Sequence, residues 1–154
     1  MSTKNNYTLD TFVADWHVRL TWIAFFTLWV LWGLVYFVRH AIGDTEKPTP
    51  APQDPETAEK SKWKPEGGFH GRLANAHRVL FENTLLLLSV LVINTLGTAS
   101  TRAVMILTWI YFAFTVVFAF SEVGVQHKFI RLVYSAVFYG ITLAIGGLAF
   151  QQGW

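Results

Sequence analysis

The stretch Asn75-Ala76-His77-Arg78-Val79-Leu80-Phe81-Glu82-Asn83 places five polar or ionisable side chains at the opening of an otherwise apolar run. A charge near the end of a membrane-crossing helix costs a few kcal/mol unless it is paired, hydrated or turned toward a site, so such residues are the first candidates for function. Arg78 and Glu82 are four apart and share one helical face. A guanidinium clamps a carboxylate and a carboxylate receives an ammonium, so the pair suits a small zwitterionic ligand as well as it suits a plain helical ion pair.

The elements that must hold these groups follow from composition. Of 154 residues, 53% are hydrophobic and 16% aromatic, more than one soluble core of this length hides. Four stretches, at 20–42, 78–96, 103–122 and 129–150, are long enough to cross a hydrocarbon layer at about 1.5 Å per residue. None alternates strictly, so each reads as a helix that satisfies its own backbone in lipid. Short connections around 97–101 and 124–128 make the spans antiparallel neighbours. The expected fold is an all-α, up-down bundle of four membrane helices forming a single domain over 1–154.

Counting spans brings several side chains to one face of the membrane: Arg39, His77, Arg78, Glu82, Ser121, Glu122, Arg131 and Tyr134. Three arginines at one depth repel unless an anion joins them, so this end suits a small acidic ligand, with Glu82 placed to take an ammonium. The plain alternative is that arginines at span ends snorkel and mark topology. Asn94, Tyr111, Thr115 and Tyr139 are expected to form interhelical hydrogen bonds.

Other chemistries find less support. The chain has no Cys, so it offers no thiolate nucleophile and no disulfide. Histidines 17, 40, 70, 77 and 127 lack the spacing of a helical metal site, and none is expected. No strained nucleophile turn accompanies a Ser-His-Asp set. A net charge of +2 argues against a nucleic-acid partner. The region before residue 20 carries Asp10 and Asp15 and no small-residue cleavage pattern, so the first span is expected to be mature structure.

Seven basic residues run from Arg39 to Arg78, which assigns 43–68 and 124–128 to the cytosol and both termini to the opposite side. The 43–68 segment, with Pro48, Pro50, Pro52, Pro55 and Pro65, is expected to be a flexible polar loop. Thr8 to Arg19 has Leu9, Phe12, Val13 and Trp16 at helical spacing, the signature of a short helix at the membrane surface or of a simple lead-in turn. Trp16, Trp22 and Trp154 fit an aromatic belt. Gly140, Gly146 and Gly147, with Ala144 and Ala149, are expected to permit close helix packing.

On these residues the chain resembles the MAPEG family, membrane-associated proteins of eicosanoid and glutathione metabolism. The family's second helix opens with Arg/Glu-Ala-His/Gln-x-Asn-x-x-Glu, and Ala76, His77 and Glu82 stand in register with it. Arg131 followed by Tyr134 resembles the opening of the family's fourth helix, with the tyrosine displaced by one position.

The resemblance implies a homotrimer that binds glutathione between neighbouring subunits. It also implies a transferase, peroxidase or isomerase reaction on a lipophilic electrophile drawn from the bilayer. By that analogy Arg39, Arg78 and Arg131 neutralise the carboxylates or thiolate of glutathione, Glu82 binds its ammonium, and His77 and Tyr134 complete the cofactor site, with Arg131 in the catalytic role. Val79 stands where the motif has Asn and Asn75 where it has Arg, and near the cytosolic end of the third helix, where catalytic relatives carry Arg, His or Tyr, this chain has Phe118-Ala119-Phe120-Ser121-Glu122. These departures keep a second reading open: a non-catalytic subunit or scaffold of a larger membrane complex. A lipid- or quinone-binding protein is the third.

Overall fold

The computed structural model describes residues 8–43, 69–124 and 128–153, so the segment read as a polar loop lies outside the described residues, as does Trp154. Within them the chain forms helices α1 (Leu9–Ala14), α2 (Trp16–Gly43), α3 (Phe69–Leu96), α4 (Arg102–Gly124) and α5 (Lys128–Gly153). The last four contain stretches long and apolar enough to cross a membrane: Trp16–Ile42, Gly71–Leu96, Arg102–Gly124 and Phe129–Gln152. The chain is an integral multi-pass membrane protein with the all-α, four-span architecture that its apolar runs dictate.

The expected surface helix breaks in two at Asp15. Thr8 opens α1, its carbonyl accepting the Phe12 N–H at 3.0 Å. Phe12 is buried where α1 meets α2 and α3, while Leu9, Val13 and Trp16 stay exposed. Asp15 is extended and then starts α2, its Oδ1 accepting the His17 backbone N–H at 2.7 Å. That carboxylate satisfies an N-terminal donor the helix itself leaves open.

The second span also starts earlier than its apolar run suggests. Leu73, Ala76 and Leu80 are buried at helical spacing, so the packed face of α3 extends below the cluster, and Arg78 lies in its third turn. Arg72 fixes this end by donating from Nη1 to the Val123 carbonyl of α4 at 3.4 Å.

In the bundle α3 packs against α2, α4 and α5, and α4 packs against α2 and α5 as well. Among the described residues the backbones of α2 and α5 do not come within packing distance of each other; they flank the α3–α4 pair on opposite sides. Leu28, Leu80, Leu87, Tyr111, Phe138 and Ile145 belong to the buried core between them. Hydroxyls buried in this core are mostly satisfied within their own helix, as where Thr115 donates to the Tyr111 carbonyl at 2.8 Å and Thr142 to that of Phe138 at 3.0 Å.

Of the four residues expected to bond across helices, Tyr111 does so, donating from its hydroxyl to the Asn83 carbonyl at 2.9 Å. Asn94 instead clamps the α3–α4 turn: Nδ2 donates to the Ser100 carbonyl at 2.9 Å and Oδ1 accepts the Ser100 N–H at 3.2 Å. Thr115 stays within α4, and Tyr139 is exposed. The glycines of α5 also divide, because only Gly146 faces another helix closely, 3.9 Å from Val90 Cγ1 at its would-be Cβ. Among the described residues nothing lies within 4 Å of the would-be Cβ of Gly140 or Gly147.

Candidate functional site

The C-terminal ends of α2 and α4 and the N-terminal ends of α3 and α5 meet at one end of the bundle, joined by Tyr36 against His77, Arg72 against Val123, and Phe118 against Tyr134. The site residues read from the sequence lie there, but in three groups. Successive helical residues are turned by about 100°, so neighbours such as His77 and Arg78 serve different faces.

The first group occupies the α2–α3 seam. The His77 ring stacks on Trp32, with centroids 5.8 Å apart at 26°, and lies 5.5 Å from Tyr36, which in turn lies 4.2 Å from His40. His40 Nδ1 is 2.9 Å from the Tyr36 carbonyl. His77 Nε2 and Trp32 Nε1 are both buried with no hydrogen-bond partner. Arg39, half-buried, makes no ion pair with any carboxylate among the described residues.

The second group is on the outer face of α3. Arg78 Nε donates to Glu82 Oε1 at 2.8 Å, and the two side chains remain 67% and 52% exposed. Beyond this pair the exposed side of the span is mainly apolar, with Phe81, Leu85, Val92 and Leu96 exposed alongside Ser89. Lipid chains offer no partner to the charged pair; another protein surface or a polar ligand does.

The third group lies between α4 and α5. Phe118 stacks on Tyr134 with centroids 4.7 Å apart at 23°. Glu122, one turn beyond Phe118, is only 7% exposed, and Arg131, nearly one turn before Tyr134, is half-buried. Glu122 thus sits on the packed face of α4 with Tyr111, Thr115 and Phe118. Val79, at the motif's Asn position, is likewise buried, a core side chain rather than a site donor.

The structure therefore pairs Arg78 with Glu82, sets His77 against Trp32 and Tyr36, and stacks Tyr134 on Phe118, without gathering all six site residues in one pocket among the described residues. Arg39 and Arg131 are carried by helices on opposite flanks. Sequence reasoning passed over Trp32 and Tyr36, whose fourfold spacing with His40 marks a single face of α2, while Asn83 of the opening cluster has its Nδ2 buried without a partner. Among the described residues no three metal-ligating side chains come together.

No curated protein and no solved structure matches the chain. The MAPEG family profile matches residues 19–151, from the first turn of α2 almost to the end of α5. It takes in all four spans together with the α3 motif whose Ala76, His77 and Glu82 stand in the family's register. By that match over most of its length, the chain belongs to the MAPEG family.

Proposed function

We propose that the protein is a glutathione-dependent membrane enzyme, acting as a transferase, peroxidase or isomerase on a lipophilic electrophile, with its site in a cleft between copies of a homotrimer. The observation that carries this reading is the Arg78–Glu82 pair, exposed on the outer face of a membrane-crossing helix. Charged groups at that depth need cover, and a second copy supplies it while leaving room for a polar ligand. Because α2 and α5 flank opposite sides of one chain, groups on them face a common ligand only across two copies.

In this cleft Glu82 receives the ammonium of glutathione, and Arg78 answers one of its carboxylates. Arg131, near Tyr134 on α5, stabilises the thiolate. The free thiol has a pKa of about 8.5 and is mostly protonated at neutral pH, so a guanidinium beside it raises the nucleophilic fraction. The cofactor brings the sulfur, consistent with a chain that has no Cys. The end of the bundle holding the three groups faces the cytosol, supported by the basic residues between Arg39 and Arg78.

Titration of the purified protein with glutathione, followed by thiolate absorbance, tests the reading: a saturable rise is expected, and no binding at millimolar ligand overturns it. Buried Val79 and the buried carboxylate of Glu122 favour a second reading, a non-catalytic subunit of a larger membrane complex. Isolation in mild detergent separates the two, since an enzyme emerges as a homo-oligomer alone and a subunit emerges with a stoichiometric partner.

A further inference from the structure

Tryptophan is enriched where a membrane meets water, as Trp16 is at the start of the first span. Trp29 stands instead at the middle of that span, Trp16–Ile42, with Trp32 less than one turn beyond it. Between α2 and α3 these two indoles, with Phe25, Phe81, Leu85 and Leu88, wall a cleft of about 190 Å³. Trp29, Phe81 and Leu85 are exposed, so the cleft opens on the surface of the bundle. The Trp32 ring lies 6.5 Å from that of Trp29 and 5.8 Å from that of Phe81, tilted by 52° and 36°. Rings tilted in this way leave aromatic surface for a flat occupant.

One polar atom of this wall has an unmet need. Trp32 Nε1 is buried and has no acceptor among the described residues. Indole is a donor only, and hydrocarbon accepts nothing from it. The hydroxyl of Thr84, which also lines the cleft, already donates to the Leu80 carbonyl at 2.6 Å. An occupant that answers both the rings and the N–H is flat, conjugated and carries a carbonyl oxygen.

We propose that this cleft binds the ring of a membrane-soluble quinone, its carbonyl accepting from Trp32 Nε1 and its ring lying among Trp29, Trp32 and Phe81. Size agrees: a dry apolar cavity of about 150 Å³ holds a benzene, so about 190 Å³ takes one substituted six-membered ring. An acyl chain fills the same volume but leaves the indole N–H unpaired. The cleft takes no lining residue from the groups proposed to hold glutathione.

Equilibrium dialysis of the full-length protein in mild detergent against protein-free micelles, without glutathione, tests the assignment. The probes are duroquinone and durene, which share a methylated ring and differ by the carbonyls. The chain has no Cys, so no thiol of its own consumes the quinone. The wild type is expected to bind duroquinone saturably and about tenfold more tightly than durene, the contribution of one buried hydrogen bond. Trp32→Phe, which keeps a ring against Phe81, is expected to abolish that preference and leave durene affinity unchanged. Leu88→Trp, which fills the cleft, is expected to weaken both probes, and Leu143→Trp, exposed on α5 at the opposite flank, to alter neither. Circular dichroism of each variant confirms that the helices persist. Failure to bind either probe, equal affinity for both, or a preference that survives Trp32→Phe overturns the proposal, whatever the outcome with glutathione.

Discussion

Glu82 takes part in two arguments that a single substitution separates. Its carboxylate either serves the ammonium of a ligand or only balances Arg78, and Glu82→Gln keeps size and polarity while removing charge. If it serves the ligand, glutathione affinity should fall roughly ten- to hundredfold, the effect of about 1.5–3 kcal/mol for a charge-assisted hydrogen bond, with little change in melting temperature. An unchanged dissociation constant alongside a lowered melting temperature removes Glu82 from the site. Asp15 makes a different residue-scale case. The His17 backbone N–H bonded to it holds its carboxyl below the ordinary value, helped by the His17 side chain. A depressed folded pKa contributes stability that is present above the unfolded value of about 3.9 and lost as pH falls through the folded one. Thermal melts in detergent from about pH 5 down to pH 3 should therefore show a decline that Asp15→Asn, which keeps a capping oxygen, partly flattens.

At the scale of elements, the turn between α3 and α4 is the junction most dependent on a few bonds. Thr98 adopts a left-handed φ of 46°, strained for a β-branched residue, and is kept there by its own N–H to the Thr95 carbonyl and by the Asn94 clamp on Ser100. Asn94→Ala removes both clamp bonds and leaves buried Ser100 backbone groups unpaired. It should destabilise the fold by about 1–3 kcal/mol, read as a lower melting temperature, without altering affinity for a ligand at the far end of the bundle. A loss of ligand binding equal to that of Glu82→Gln would contradict the placement of the site at the α3 N-terminal end.

For the whole molecule, the separation of the α2 and α5 backbones among the described residues gives the bundle two outer flanks. Exposed Phe26, Phe37, Phe129 and Leu132 on these flanks suit lipid or another copy equally well, whereas the exposed Arg78–Glu82 pair is served by a polar ligand or another protein surface, which the proposed trimer supplies. Native mass spectrometry in mild detergent should report a homotrimer; a monomer under those conditions would count against the inter-subunit site. The topology is testable because the chain has no native Cys to label. A single cysteine introduced at Thr57, between α2 and α3, should react with a membrane-impermeant maleimide only from the cytosolic side, and one at Ala99 only from the other. The reverse pattern would move the whole site to the non-cytosolic face.

Much of this architecture is legible in the amino-acid sequence, because lipid leaves so few options: four apolar runs of spanning length with short connections must be antiparallel helices. The same constraint brings Arg39, His77, Arg78, Glu82, Arg131 and Tyr134 to one end, since that requires only counting. What the sequence does not determine is rotation and adjacency. Spans that are apolar all round carry little sign of which stripe faces inward, so the burial of Val79 and Glu122, the exposure of Tyr139 and the open surroundings of Gly140 and Gly147 are settled only by packing. Which helices touch is likewise a tertiary fact. By setting α2 and α5 on opposite flanks, the packing divides one apparent constellation into a seam between α2 and α3, an outer face of α3 and a cluster between α4 and α5.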